Sequence, residues 1–104
     1  MSPKLPCYRL RDVKKLVHDA KWSVNVDAGI DAFNYFGWKS DEIKRALIRL
    51  SGAAFYKTEY HKQFYPVTVD VYKIKDFYGE NVYIHFYIRP KDGWLIINSC
   101  HNLY

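Results

Sequence analysis

The period of the apolar residues changes at Gly52, and this change narrows the folds that the 104-residue chain can adopt. Before Gly52, apolar residues recur at intervals of three and four, which is typical of amphipathic helices. After Gly52, apolar and polar residues alternate, which is typical of half-buried strands. Helices followed by four strands with short loops predict an α+β fold, in which N-terminal helices pack on one face of a mainly antiparallel β-sheet.

Three helices are predicted in the first half of the chain. The first covers roughly Leu10 to Ala20, and residues 1–8 before it, which include two prolines, are interpreted as an extended basic arm. Asn25 or Asp27 is expected to cap the second helix and Ser40 the third, because these side chains can accept a bond from free backbone amides. The second helix is expected to bury a stripe formed by Ile30, Phe33 and Phe36.

The most regular strand is formed by residues 81–89, which read NVYIHFYIR. Successive side chains of a strand point to opposite faces. One face therefore carries the apolar residues Val82, Ile84, Phe86 and Ile88. The other face carries Tyr83, His85, Tyr87 and Arg89. Two phenols, an imidazole and a guanidinium suit a core poorly, but they are well suited to holding a phosphate and moving a proton.

Three other strands are predicted after Gly52. Two of them cover Ala54 to Tyr60 and Trp94 to His101. The third covers Val67 to Ile74, with Val67, Val69 and Val71 on one face and Thr68, Asp70 and Tyr72 on the other. The segment from Trp22 to Val26 alternates briefly, and it is interpreted as a short strand or an extended connector.

Composition and charge favour a polyanionic partner. The net charge is +5 at pH 7 with histidine neutral, and 18% of the residues are aromatic, including ten tyrosines. A small basic domain with surplus aromatic side chains is typical of nucleic-acid-binding proteins. A basic protein without such a partner is the alternative.

No metal, cofactor or membrane segment is expected. The two cysteines, Cys7 and Cys100, form no CxxC pair, and the four histidines show no zinc spacing. No apolar run is long enough for a signal peptide or a transmembrane span. We therefore expect one domain over residues 1–104, located in the cytoplasm with both thiols reduced.

Five segments resemble the MqsR family of toxins in their order and spacing. They are RLRDVKKLV at 9–17, LSGAAFYK at 50–57, DVYK at 70–73, GENVYI at 79–84 and WLIIN at 94–98. The resemblance implies a fold like that of the RelE toxins and the activity of an mRNA endonuclease, or mRNA interferase, which inhibits translation and growth. It also implies an MqsA-like antitoxin with a zinc-binding part and a helix-turn-helix part.

Carried over residue by residue, the resemblance marks Lys57 and Tyr83 as site residues. Lys57 matches the lysine of Phe-Tyr-Lys in the family, and Tyr83 matches the tyrosine after Gly-x-x-Val. Two other positions depart from the family pattern. Val69 stands where the family has glutamine, and residues 99–101 stand where a lysine follows Ser-Phe. His101 is expected to replace that lysine in function, one residue out of register.

The expected reaction is metal-independent cleavage of RNA, by attack of the substrate's own 2′-OH on the adjacent phosphate. This reaction needs a base, an acid, and cations that stabilise the charge on phosphorus. Lys57 and Arg89 are the expected cations, because both side chains bind phosphate oxygens. Arg89 could instead pair with Asp92 across the turn that follows.

His85 and His101 are the expected proton carriers, because an unperturbed imidazole titrates near ~6.5. Tyr83, a phenol with a pKa near ~10, is a weaker candidate for the base and is expected to hydrogen-bond the phosphate or stack on a nucleobase. Stacking of unpaired bases is also expected on three further tyrosines, Tyr56, Tyr72 and Tyr87.

Two other functions fit the same residues. The first is a non-catalytic RNA- or ribosome-binding module that uses the same basic and aromatic face. The second is an interaction protein that binds a partner by strand addition at an exposed sheet edge. The partners that the resemblance implies are mRNA and an antitoxin, and the ribosome is a further candidate.

Overall fold

A computed structural model describes residues 5–103 of the protein. Within these residues, the chain forms the helices α1 (Leu10–His18), α2 (Val26–Phe36) and α3 (Ser40–Ile48), with a short 3₁₀ helix at Gly52–Ala54. The strands are β1 (Trp22–Val24), β2 (Phe55–Tyr60), β3 (Thr68–Phe77), β4 (Glu80–Ile88) and β5 (Leu95–Asn102). The predicted α+β fold is confirmed. None of the helices in this part of the chain is long and apolar enough to cross a membrane.

A single sheet with the strand order β1–β5–β4–β3–β2 organises the fold. The four strands predicted after Gly52 pair antiparallel in chain order, and β1 joins the far edge parallel to β5. All three helices contribute buried side chains to one core against one face of the sheet. We call this the helix face. The opposite face, which carries Lys57, His85 and Ser99, is called the open face.

Strand β4 alternates as predicted, and β3 directs Asp70 and Tyr72, rather than its valines, to the helix face. Val82, Ile84 and Phe86 are fully buried on the helix face. Pairing with β4 places Asp70 opposite Phe86 and Tyr72 opposite Ile84, so both of these β3 residues also lie on the helix face. The expectation that Tyr72 is accessible is therefore wrong.

The open face accepts Val69 of β3 because one end of it is apolar. There, Val69, Tyr87 and Ile96 form a second, smaller core, which is covered by Tyr8, Val67 and Trp94. The other end of the open face remains polar. Simple alternation does not reveal this division, because it treats each face of a strand as uniform.

Helix α2 buries its small residues rather than its large ones. Ala28 and Ala32 are buried, whereas Ile30 and Phe33 are 52% and 55% exposed. The predicted stripe is therefore wrong except for Phe36, which packs against the core. Alanine at the contact lets the helix approach β5 closely, since interaxial distance depends on the side chains between the elements.

The predicted helix caps differ from those observed. Asn25 occupies the cap position of α2, but its side chain makes no capping bond. Instead, its Nδ2 donates to Oδ1 of Asn98 at 2.9 Å. Helix α3 begins at Ser40, so its cap position is Lys39, whose backbone N–H donates to Oε1 of Glu42 at 2.7 Å. That bond is half of a capping box.

Asp70 attaches the N-terminal arm to the sheet. Its buried carboxylate accepts hydrogen bonds from the backbone N–H groups of Cys7 and Tyr8, at 3.0 and 2.8 Å, and from Oγ1 of Thr58 at 2.6 Å. A buried carboxylate needs such partners to offset its lost hydration. The predicted arm is therefore docked at residues 7 and 8, while residues 1–4 lie outside the described residues.

Candidate active site

The four expected catalytic residues share the open face of the sheet. Lys57 on β2 pairs with Val71, which in turn pairs with His85 on β4, so these side chains form one row across three strands. Tyr83 on β4 pairs with His101 on β5. Neighbouring strands lie about 4.8 Å apart, so the Cα atoms of Lys57 and His85, which are two strands apart, are separated by about 10 Å.

Tyr83 is the centre of a three-ring cluster. Its ring lies 4.8 Å from the ring of His85 in an edge-to-face arrangement, and 4.9 Å from the ring of His101 in a stacked one. The cluster lies in a cleft of about 530 Å³, which we call the ring cleft. Its lining also includes the side chains of Glu59, Lys62, Lys73 and Ser99. Phenol, imidazole and ammonium groups therefore converge on one concave surface.

Lys57 forms an ion pair with Glu59, with 3.1 Å between Nζ and Oε2. The hydrogen bond and charge of Glu59 raise the pKa of the Lys57 ammonium, so it stays charged at neutral pH. The side chain is 39% exposed and does not line the ring cleft, but its charge acts on Tyr83 and His85, which do. Glu59 was not among the predicted site residues, although its position two residues after Lys57 places it on the same face of the strand.

The phenol of Tyr83 stays protonated near neutral pH. Partial burial and the negative charge of Glu59 raise its pKa, and the smaller opposing effect of Lys57 does not reverse this. A phenol that stays protonated cannot act as a base at neutral pH, but it can donate a hydrogen bond. Tyr83 can therefore donate to a phosphate oxygen or protonate a strongly basic leaving oxygen.

His85 lies in the floor of the ring cleft as a neutral ring. Both of its ring nitrogens are buried and have no hydrogen-bond partner among residues 5–103. Burial lowers the pKa of this imidazole to about 4, despite the opposing effect of Glu59. Because both nitrogens are buried, His85 is better placed to fix the position of the Tyr83 ring than to exchange protons with solvent.

Acid is expected to destabilise the fold through His85. Between pH 6.5, the ordinary pKa, and about 4, the unfolded chain binds a proton that the folded chain excludes. Stability therefore falls as the pH falls through this window.

Urea unfolding at several pH values should show that the stability of His85→Phe depends less steeply on pH than that of the wild type. The control His18→Phe, at a side chain that is 88% exposed, should keep the wild-type slope. Equal slopes for all three proteins would contradict the assignment.

His101 has a defined tautomer. Its Nδ1 lies 3.0 Å from the backbone oxygen of Asn102. A carbonyl oxygen only accepts, so Nδ1 carries the proton and Nε2 of the neutral ring carries the lone pair. His101 is partly exposed and lines the ring cleft. A neutral imidazole held in this way is competent as a general base through Nε2.

The four expected RNA-binding residues lie in different environments. Tyr56 is 51% exposed, and Nζ of Lys73 lies 3.6 Å from its ring centroid, so one face of the ring is covered by a cation. Tyr72 and Tyr87 are buried, so their predicted stacking on bases is wrong. Arg89 forms a forked ion pair with Asp92, with 3.0 Å between Nε and Oδ1, and it does not line the ring cleft.

Replacing Tyr72 with phenylalanine is expected to leave the fold intact. The Tyr72 hydroxyl is buried without a hydrogen-bond partner among the described residues, and burial raises its pKa to about 12. Its removal should leave stability unchanged or raise it by about 1 kcal/mol. Tyr56→Ala, by contrast, should weaken binding of single-stranded RNA by about 1–3 kcal/mol. Urea unfolding tests Tyr72→Phe, and a clear loss of stability would contradict the unpartnered state of its hydroxyl. RNA titration tests Tyr56→Ala, and unchanged affinity would contradict its stacking role.

A second cleft of about 290 Å³ adjoins the ring cleft, and we call it the amide cleft. The two clefts share the residues Glu59, Lys62, His85 and Ser99. The lining of the amide cleft also includes Asn25, Asp27, His61, Gln63, Val69 and Asn98. No sequence pattern marks His61 as a site residue. Its Nδ1 accepts the backbone N–H groups of Gln63 and Phe64 at 3.0 and 3.2 Å. His61 therefore shapes the loop that borders this cleft.

The described residues contain no group of three or more histidine, cysteine or acidic side chains placed to hold a metal ion. Cys100 is fully buried, and burial raises the pKa of its thiol to about 12, so it is not an available nucleophile. Lys57, Glu59, Tyr83 and His101 remain at least partly accessible at the open face, together with nearby lysines.

Comparison with known proteins identifies the family of the chain. No individually curated protein matches the chain. The model of the MqsR toxin family, described as "Motility quorum-sensing regulator, toxin of MqsA", matches residues 5–98. The matched segment contains Lys57 and Tyr83 and ends before His101. The match spans nearly the whole chain, which therefore belongs to the MqsR toxin family, the toxins of toxin–antitoxin systems that have an antitoxin as partner.

Proposed function

We propose that this toxin is a metal-independent endoribonuclease that cleaves mRNA and thereby inhibits translation and growth. The observation that carries the proposal is the convergence of Tyr83, His85 and His101 in one cleft beside Lys57. Lys62 and Lys73 line the same cleft, and their charge favours a polyanionic substrate.

In the proposed reaction, the 2′-hydroxyl of one nucleotide attacks the adjacent phosphorus. Nε2 of His101 accepts the proton of that hydroxyl as the P–O bond forms. The bond from phosphorus to the 5′-oxygen breaks, and the phenol of Tyr83 donates a proton to that leaving oxygen. The products are a 2′,3′-cyclic phosphate and a 5′-hydroxyl, so atoms and charges balance.

Lys57 stabilises the negative charge that grows on the phosphoryl oxygens. To do so, its ammonium must exchange Glu59 for the phosphate, which leaves the Glu59 carboxylate as a second possible proton acceptor. His85 is a positioning residue in this proposal, because its nitrogens are buried and its ring packs against the edge-to-face partner Tyr83.

The proposal is tested by incubating purified protein with single-stranded RNA in the presence of EDTA. We expect cleavage, because none of the proposed steps uses a metal ion. Cleavage that requires added metal would refute the mechanism. RNA that is bound in a salt-dependent manner but left intact, with and without ribosomes, would support the non-catalytic binding module instead. Cleavage only when ribosomes are added would make the ribosome a required partner.

The nature of the antitoxin is a separate proposal. We expect an MqsA-like protein with a zinc-binding part and a helix-turn-helix part, encoded next to the toxin. Co-expression of that protein should relieve growth arrest caused by the toxin. Growth that is not arrested by the toxin alone would favour an interaction protein without nuclease activity.

A further inference from the structure

Strand β5 contains a bulge where it borders the amide cleft. Between the pairs His85–Ser99 and Phe86–Ile97, the register of β4 and β5 shifts, and Asn98 is the extra residue. Adjacent residues in a regular strand point to opposite faces. Asn98 and Ser99 nevertheless both line the amide cleft. Bulges often turn a side chain toward a functional site in this way.

Asn98 is held in this orientation by a hydrogen bond from Asn25, whose side chain does not cap helix α2. Asn25 stands at the cap position of α2, where an asparagine side chain ordinarily accepts a backbone N–H. Here it makes no such bond, and its Nδ2 donates to Oδ1 of Asn98 at 2.9 Å. The backbone N–H of Asn25 also donates to the carbonyl of Ile97 at 3.0 Å, which ties the helix start to the bulge.

The paired amides present both a donor and an acceptor to the cleft. When two amides share one hydrogen bond, one keeps its carbonyl oxygen and the other keeps its NH₂ group. Nucleobase edges carry adjacent donors and acceptors, which asparagine and glutamine side chains recognise in pairs. Gln63 and Ser99 add further polar groups to the same lining.

The charges of the amide cleft favour an uncharged ligand. Two carboxylates, Asp27 and Glu59, line it together with one lysine, Lys62. This balance disfavours a phosphate, but carboxylates readily accept hydrogen bonds from the amino groups of bases. The volume of about 290 Å³ is at the lower end of the range for ligand pockets, about 300–1,000 Å³, and so fits one small ring system.

From these observations, we infer that the amide cleft binds one unpaired nucleobase next to the cleaved phosphate and that Asn98 and Asn25 determine which base is preferred. The inference rests on the proposed ribonuclease function. Because the two clefts share His85 and Ser99, a base in the amide cleft would be joined directly to a phosphate in the ring cleft.

The test compares wild type with Asn98→Asp and with the control Asn34→Asp. Aspartate at position 98 can still accept the bond from Asn25, but it cannot donate to a base. Asn34 is exposed on α2 and lines neither cleft, so it controls for the added negative charge. Sequencing of the cleaved ends should show that Asn98→Asp loses discrimination by about fivefold or more at one nucleotide beside the cut. Asn34→Asp should keep the wild-type preference.

A binding measurement separates this inference from the nuclease proposal. Five-nucleotide RNAs that carry 2′-O-methyl groups have no attacking hydroxyl, so their affinities can be measured without cleavage. Variation of one base should change wild-type affinity, and Asn98→Asp should alter the order of the four bases. If wild type cuts RNA but Asn98→Asp has the same base preference in both assays, the inference fails and the nuclease stands. If wild type cuts nothing, an unchanged order of affinities overturns the inference, and an altered order supports the cleft as a base-binding site alone.

Discussion

Replacing Lys57 with alanine is expected to reduce the rate of RNA cleavage by about 10²–10³, the usual effect of removing one group that stabilises transition-state charge. Lys57 lies on the open face beside Tyr83, and its charge influences the pKa of that phenol. Within residues 5–103, Glu59 is the one ion-pair partner of this ammonium. A phosphate can therefore displace it. Single-turnover cleavage of a short RNA measures the effect.

The fold should not be affected by this change, because an exposed ion pair contributes little to stability. Lys75→Ala is the matched control, since Lys75 is an exposed lysine on β3 whose charge, unlike that of Lys57, is not among those that shift the pKa of Tyr83 or His85. It should cleave at nearly the wild-type rate. If Lys57→Ala retains full activity at an unchanged melting temperature, Lys57 does not act on the reacting phosphate.

Replacing His101 with alanine is expected to reduce cleavage by about 10²–10⁴, the range for loss of a general acid or base. The bond between Nδ1 and the backbone oxygen of Asn102 leaves the lone pair on Nε2. Added imidazole should restore part of the activity, because it can occupy the space of the missing ring. A merely structural histidine would not show such rescue.

The control for His101 is His18→Ala, at a histidine whose side chain is 88% exposed on α1. It should have wild-type activity. Full activity of His101→Ala would assign the base elsewhere, and Glu59 would then be the next residue to replace. Glu59→Gln keeps the size of the side chain but removes its ability to accept a proton at neutral pH.

Some parts of the fold could be predicted because a short-range pattern determines them. Residues 82–86 alternate strictly, and the apolar set must point toward the helices. In β3 both sets of side chains are partly apolar, so alternation alone does not choose between Tyr72 and the valines. Long-range contacts decide: Tyr8 and Trp94 cover a small apolar core on the open face, which makes room there for Val69.

The candidate site also combines residues that a local pattern predicts with residues that only long-range contacts bring together. Period-two alternation places Tyr83 and His85 on one face, and the family resemblance adds Lys57. Neither reveals the pair of Asn25 and Asn98, which are 73 positions apart and meet only because a bulge interrupts β5. A bulge depends on the pairing of two strands, and no signal within β5 alone shows where the extra residue lies.

The chemistry of the cleaved ends tests the central claim most directly. Wild-type protein should be incubated with a short single-stranded RNA in EDTA, and the termini of the fragments should be identified by mass spectrometry. Attack by the 2′-hydroxyl predicts a 2′,3′-cyclic phosphate or a 3′-phosphate on one fragment and a 5′-hydroxyl on the other. Fragments with 5′-phosphate ends, or cleavage of the same sequence made of DNA, would contradict the proposed mechanism.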